Sequence, residues 1–175
     1  MNKPHAAIPA ILVLVLAIGS VAANAASFDP LLPLLVDLPG WEAEPAGGWD
    51  ASASGARAIT VFRSYEGENR HFEVNVLIGM QAGMSWMPEY REGFKVESSE
   101  GSMEVRRING FLVFLSFDQA DSSGGILVLL NDPGSKPEMG AVMAISFEGL
   151  GLEEALKNAQ RFNWAKMKDQ IARLK

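Results

Sequence analysis

The sequence predicts an α+β fold, in which an antiparallel sheet of about six or seven strands is followed by C-terminal helices. Three observations support this prediction. Apolar and polar residues alternate through the middle of the chain, turn residues separate the alternating runs, and apolar residues at helical spacing appear near the C-terminus. We expect these elements to form a single domain over residues 26–175.

The first strands are predicted over residues 58–65 and 71–78, with a turn at residues 67–69. The second run alternates between an apolar face and a polar face. Its apolar residues are Phe72, Val74, Val76 and Ile78, and its polar residues are His71, Glu73 and Asn75. Such alternation indicates a hairpin with one solvated side. Before it, we expect a short helix over residues 29–36 and an irregular loop over residues 41–55.

Further strands are predicted over residues 94–98, 103–108, 111–118, 126–130 and 141–147. Asn109-Gly110 indicates a tight hairpin, because both residues tolerate the positive φ of a type I′ turn. Residues 111–115 and 126–130 are apolar on both faces, so we expect their strands to be central and covered on both sides. Two helices should follow, with Asn163 as the cap of the second, or one kinked helix should run through both segments.

An apolar run over residues 6–23 follows Lys3, and the motif Ala23-Asn24-Ala25 closes it. A short positive start, an apolar stretch and a small-x-small motif are typical of a secretion signal. The run is shorter than the roughly 20 apolar residues of a spanning helix, and no basic cluster follows it. We predict that residues 1–25 are a cleaved signal peptide, that the protein is periplasmic or secreted, and that it has no stable membrane insertion after cleavage.

The chain has a formal net charge of −6 and contains no cysteine. An acidic domain argues against nucleic acid as a partner, because phosphates require patches of Lys and Arg. The lack of cysteine excludes disulfides, thiol nucleophiles and thiolate metal sites. After signal removal His71 is the only histidine, which excludes a zinc site with several histidines from one chain.

Three methionines at helical spacing, Met80, Met84 and Met87, follow the strand that carries His71. Thioether sulfur is a soft ligand that suits Cu(I) or Ag(I). A helix over residues 80–87 would place the three sulfurs on one face, and His71 would add a nitrogen. The alternative is that the methionines fill irregular core space beside aromatic residues.

The sequence lacks the G-x-S-x-G, P-loop and H-E-x-x-H motifs. The turn residues Asp118, Asp121, Ser123 and Asp132 do not match the ligand spacing of a calcium-binding EF-hand. We therefore predict no catalytic residue and no cofactor-binding residue, with copper as the alternative cofactor, and we favour a non-enzymatic role.

The order of the predicted elements resembles that of the PsbP and Mog1 group, which implies an α-β-α sandwich. An opening Leu38-Pro39-Gly40-Trp41, a β-rich middle and a closing Phe162-Asn163-Trp164 are similar to a type of small, uncharacterised exported bacterial protein. Neither resemblance implies a substrate or a reaction.

These observations together predict an exported, periplasmic, non-enzymatic binding or accessory domain whose partner is an unknown protein or small ligand. Two alternatives stay open. One is a periplasmic protein that handles Cu(I) or Ag(I) through the methionines and His71. The other is a carrier of an apolar ligand, whose cavity the apolar strands would line.

Overall fold

The computed structural model describes residues 27–53, 56–85, 91–132 and 140–174. The predicted signal peptide over residues 1–25 lies outside this part of the chain. Within the described ranges, no helix combines the length and the apolar character needed to cross a membrane.

The elements follow one another in the order predicted, with three additions. A 3-10 helix at Asp29–Leu34 precedes β1 (Glu42–Ala43), β2 (Gly47–Asp50), β3 (Ala58–Gly67) and β4 (Arg70–Gly79). Next come α1 (Met80–Ser85), β5 (Lys95–Glu97), β6 (Gly101–Ile108), β7 (Phe111–Asp118), β8 (Ser123–Asn131) and β9 (Ala141–Glu148). The last elements are α2 (Leu152–Ala159) and α3 (Trp164–Ile171). The additions are the short strands β1 and β2, and α1, which covers part of the helix considered over residues 80–87.

Nine strands form one antiparallel sheet in the described part of the chain, in the order β1-β3-β4-β9-β8-β7-β6-β5, and β2 also pairs with β3. The β3–β4 hairpin, with β1 and β2 both on the outer edge of β3, meets the β5–β9 meander where β4 pairs with β9. The α+β class is confirmed, but the predicted count of six or seven strands was too low. The strands that were missed, β1 and β2, are only two and four residues long, and β2 begins with two glycines, so they show no alternation of their own.

The main hydrophobic core lies between one face of the sheet and the 3-10 helix, α2 and α3. Phe162 and Met167 are fully enclosed there, together with the inward-facing residues of β3, β4, β8 and β9. Asn163 caps α3 as predicted, since its Oδ1 accepts a hydrogen bond from the Lys166 amide at 2.9 Å. We call the opposite side of the sheet the open face.

Short helix α1 lies on part of the open face. Its Ala82 packs against Leu129 and Val142 in a second, smaller apolar cluster. The chain turns onto this face at Gly79, whose φ is +91° and where a Cβ atom would lie 1.9 Å from the Arg57 carbonyl oxygen. Only glycine fits this position, because an added side-chain atom would overlap the backbone.

The hairpin between β6 and β7 has the predicted geometry. Asn109 has a φ of 51° and Gly110 a φ of 87°, as a type I′ turn requires. This turn sets the β6–β7 register, and that register decides which β6 side chains reach the open face.

Candidate functional site

Two adjacent rows of mostly polar residues cross the open face beside the part that α1 covers. Each residue of a row faces the next one on the neighbouring strand. The first row is Ser64, Glu73, Ser146, Gly125, Ser116, Met103 and Val96. The second row is Glu66, His71, Glu148, Ser123, Asp118 and Gly101. We call these two rows the acidic surface. None of its residues is buried, and at about 4.8 Å per strand the first row is roughly 30 Å long.

The acidic surface carries negative charge with little to balance it. Its carboxylates are Glu66, Glu73, Glu148 and Asp118, and neither row contains Lys or Arg. His71 is the only basic side chain in the two rows. Unbalanced carboxylates on one side of a sheet produce a negative potential that attracts cationic partners.

Two arginines of the same strands, Arg63 and Arg106, lie on the other side of the sheet, where they are paired. Arg63 of β3 is 2.6 Å from the Asp37 carboxylate. Arg106 of β6 is 3.2 Å from Glu153 of α2. Arg107 of β6 lies on the open face but outside the two rows, where it is 3.0 Å from Glu92, so the lack of Lys and Arg is a property of the two rows.

His71 is held among carboxylates near the β3 end of the acidic surface. Its Nδ1 is 2.7 Å from Glu66 Oε1, and its Nε2 is 3.9 Å from Glu73 Oε2. Asn75 Nδ2 donates a hydrogen bond to the other Glu73 oxygen at 2.8 Å. Among the described residues, the side-chain partners of His71 are thus carboxylates and not the serine that a Ser-His-Asp triad needs.

The acidic surface does not form a metal centre. In the described ranges, no group of three or more Asp, Glu or His side chains converges closely enough to hold a metal ion. Its carboxylates are instead spread along the rows, which suits contact with an extended cationic surface.

A groove of about 320 Å³ lies at the β5–β7 end of the acidic surface. It is lined by Val96, Ser98, Glu100, Gly101, Ser102, Met103, Ser116, Phe117, Asp118 and Gly124. We call it the β5–β7 groove. Val96 and Met103 face each other across β5 and β6, and they are 44 % and 42 % exposed. The groove thus combines an exposed apolar floor with hydroxyl and carboxylate groups, and none of the described residues that line it is basic.

Two glycines shape the groove. A Cβ atom at Gly101 would lie 2.2 Å from the Phe117 carbonyl oxygen, and one at Gly124 would lie 2.2 Å from the Ser116 carbonyl oxygen. Larger residues at either position would overlap the β7 backbone. Both positions therefore remain without side chains.

The structure separates the residues that the sequence analysis grouped as copper ligands. Met80 and Met84 lie one turn apart in α1, with exposed fractions of 49 % and 79 %, and Met87 lies outside the described residues. His71 is at the opposite end of β4. At about 3.3 Å per residue, the strand places His71 roughly 30 Å from Met80. A single centre that contains both His71 and these two methionines is therefore excluded, because the strand is fully extended between them.

The strands that are apolar on both faces lie inside the sheet, as predicted. Leu129 and Val142 contact α1 on the open face, while Val128 and Met143 pack on the helical side. These side chains belong to packed clusters and do not line the β5–β7 groove. The carrier hypothesis expected them to line a cavity for an apolar ligand.

Sequence reasoning did not single out Val96, Met103 or Glu148 as functional residues. The polar alternation at His71, Glu73 and Asn75 was the visible signal for the acidic surface. The rest of it depends on the pairing of β4 with β9, which joins residues far apart in the sequence.

Comparison with known proteins provides no relative. No protein-family model matches the chain, and neither the curated proteins nor the solved structures contain a significant match.

Proposed function

We propose that this protein is a non-enzymatic binding domain that acts outside the cytoplasm, and that its acidic surface contacts a positively charged region of a partner protein. The observation that carries this proposal is the unbalanced negative charge of the two rows. The two rows of the open face carry four carboxylates without Lys or Arg, while Arg63 and Arg106 lie on the helical side.

Location outside the cytoplasm is supported by the secretion-signal pattern of residues 1–25. N-terminal sequencing of the protein isolated from its host is expected to begin at Ala26. A sequence that begins at Met1 would contradict this part of the proposal.

An acidic surface of this kind acts mainly by electrostatic complementarity. Exposed carboxylates attract a cationic partner over distances of about a Debye length, roughly 8–10 Å at physiological salt. Each exposed charge pair contributes only a little to affinity, typically less than about 1 kcal/mol. Binding should therefore be fast, moderate in strength and sensitive to salt.

The test is a titration of the full processed chain with a lysine-rich peptide, followed by two-dimensional amide NMR. The test variant combines Glu66→Gln, Glu73→Gln and Glu148→Gln. The matched control combines Glu153→Gln, Glu154→Gln and Asp169→Asn, which removes the same charge from the helical side. We expect the test variant to bind about tenfold more weakly, as three lost surface pairs imply, and the control to bind within about twofold of the parent protein.

Chemical-shift changes are expected to follow the two rows of the acidic surface, with an affinity that falls as salt increases. An equal loss of affinity in the test and control variants would contradict the proposal, because binding would then depend on net charge alone. Shift changes confined to the helical side would contradict it as well.

A second candidate function, binding of Cu(I) or Ag(I), is favoured by the exposure of two thioether side chains one turn apart in α1. Met84 is 79 % exposed, which is unusual for an apolar residue, and Met80 is 49 % exposed. Titration with Ag(I) should shift the methyl resonances of Met80 and Met84 but not that of Met103, and Met84→Leu should abolish the shift of Met80. Unchanged methyl resonances at equimolar Ag(I) would exclude this candidate.

A further inference from the structure

We propose that the β5–β7 groove receives an apolar side chain from an extended, basic segment of the partner protein. This inference rests on the proposed function. It identifies an apolar side chain as the part of the partner that provides most of the affinity. The acidic surface attracts the partner, and the groove holds one residue of it.

The apolar floor of the groove is the first reason. Val96 and Met103 lie side by side on neighbouring strands, and each has more than 40 % of its surface exposed. Methionine adapts its shape to different apolar partners and is frequent at binding surfaces. A volume of about 320 Å³ lies near the lower end of the range for ligand pockets, about 300–1,000 Å³. The groove therefore suits one large apolar side chain.

The charge around the floor is the second reason. Glu100 and Asp118 line the groove, and its lining contains no basic residue within the part of the chain that the structure describes. Asp118 uses Oδ1 to accept the Ala120 amide at 2.8 Å, which leaves Oδ2 without a hydrogen bond inside the described part of the protein. Lys95 lies on the other face of β5, where Glu97 is 2.7 Å from its Nζ. A side chain in the groove would thus be flanked by carboxylates, which favours Lys or Arg as its neighbours.

The position of β5 is the third reason and indicates an extended segment. β5 is the last strand in the sheet order. Phe94 and Ser98 direct main-chain groups toward β6, since Phe94 O accepts from Val105 N and Ser98 N donates to Gly101 O. By the alternation of an antiparallel ladder, the main-chain groups of Lys95 and Glu97 point outward. An extended segment can add to this edge, and a side chain opposite Val96 would then lie at the groove.

The two parts of the site predict different kinetic effects. Exposed charges along an interface mainly change the association rate and its salt dependence. A buried apolar anchor mainly changes the dissociation rate, because it is a local contact formed after encounter. Charge variants and groove variants should therefore be distinguishable in a single binding assay.

The experiment uses the full processed chain and three short peptides. The first has a central phenylalanine between lysines, the second replaces this phenylalanine with serine, and the third replaces the lysines with glutamate. Association and dissociation rates are measured by stopped flow for the parent protein, for the double variant Val96→Thr with Met103→Gln, and for the control Met84→Gln. All three substituted residues are exposed, so urea unfolding should confirm that each variant keeps its fold.

We expect the phenylalanine peptide to dissociate about tenfold more slowly than the serine peptide from the parent protein. The double variant should remove most of this difference, while Met84→Gln should preserve it. The glutamate peptide should not bind measurably. Amide shifts specific to the phenylalanine should lie at Val96, Met103 and Asp118.

Three results would overturn the inference, and they differ in what they leave standing. Equal dissociation of the phenylalanine and serine peptides, with salt-dependent binding along the acidic surface, removes the groove and retains the proposed function. Full competition by free phenethylamine at the same concentration shows that the occupant is a small organic cation rather than a protein segment. If neither lysine peptide shows salt-dependent binding at the acidic surface, the proposed function is removed as well.

Discussion

Replacing Tyr65 with phenylalanine is expected to have opposite effects on stability at neutral and at alkaline pH. Tyr65 lies in β3 with its side chain completely buried, and its hydroxyl donates a hydrogen bond to the Val36 carbonyl oxygen at 2.8 Å. Tyr65→Phe removes this bond and leaves the carbonyl without its partner. At pH 8 the variant should therefore be less stable by about 1 kcal/mol, the usual net value of a neutral hydrogen bond.

The alkaline effect comes from ionisation. Burial raises the pKa of Tyr65 to about 12 from its usual value of 10.0. Between these two values the unfolded chain loses the phenolic proton while the folded protein keeps it, so the stability of the parent protein falls as pH rises. The loss is about 1.4 kcal/mol per pH unit. The phenylalanine variant lacks this loss, so the two stabilities should become equal near pH 11 and then change order.

Urea unfolding followed by tryptophan fluorescence at pH 8, 10 and 11.5 measures both effects. Lysine and arginine titration affects the two proteins equally and cancels in the comparison. A difference in unfolding free energy that stays constant from pH 8 to 11.5 would show that the Tyr65 phenol titrates normally. The assignment of a raised pKa to burial would then be wrong.

Three other substitutions test local features by the same urea assay. Gly124→Ala should lower the free energy of unfolding by about 1–3 kcal/mol, because the new Cβ overlaps the β7 backbone. Gly125→Ala next to it meets only ordinary or slightly short contacts and should lower it by less than half as much. Equal losses would contradict the close approach at Gly124. Gly110→Ala should lower the free energy of unfolding by about 1–2 kcal/mol because of the positive φ alone. Gly110→Asn should lower it less, because asparagine tolerates the left-handed region better than alanine. Equal losses in the two variants would rule out a left-handed conformation at this position. Asn163→Ala should cost about 1 kcal/mol through loss of the bond from Lys166, and Asn163→Asp should preserve it.

Local signals predicted much of the fold. The turn at Asn109-Gly110 and the cap at Asn163 each depend on a few consecutive residues, and both are found where the sequence placed them. The apolar runs within β7 and β8 likewise predicted strands inside the sheet, because burial on both faces requires apolar residues at successive positions.

Features that depend on distant residues were missed. β1 and β2 are strands because they pair with β3, and nothing within residues 41–55 reveals this partner. The grouping of His71 with Met80 was wrong for a related reason, since residues close in sequence lie far apart when an extended strand separates them. The copper hypothesis assumed that His71 lies near the methionines because it is close to them in sequence. That assumption fails across an extended strand.

The acidic surface was predictable only in part. Alternation at His71 and Glu73 indicated a solvated side of β4, but the contribution of Glu148 requires the β4–β9 register. The apolar floor formed by Val96 and Met103 requires the register of β5 and β6. Periodicity within a strand shows which face a residue occupies, and only strand pairing shows its neighbours.

The junction of β4 with β9 has a consequence for folding. Residue 71 pairs with residue 148 there, so β4 has β3 as its one neighbour until a long segment of the chain has closed. Contacts between such distant residues form slowly, because a long loop must close first. Throughout that interval β4 has one exposed edge with apolar residues, which is a template for aggregation. A chain truncated before β9 should therefore need a chaperone to stay soluble, and pairing of β9 with β4 should be the step that ends this dependence.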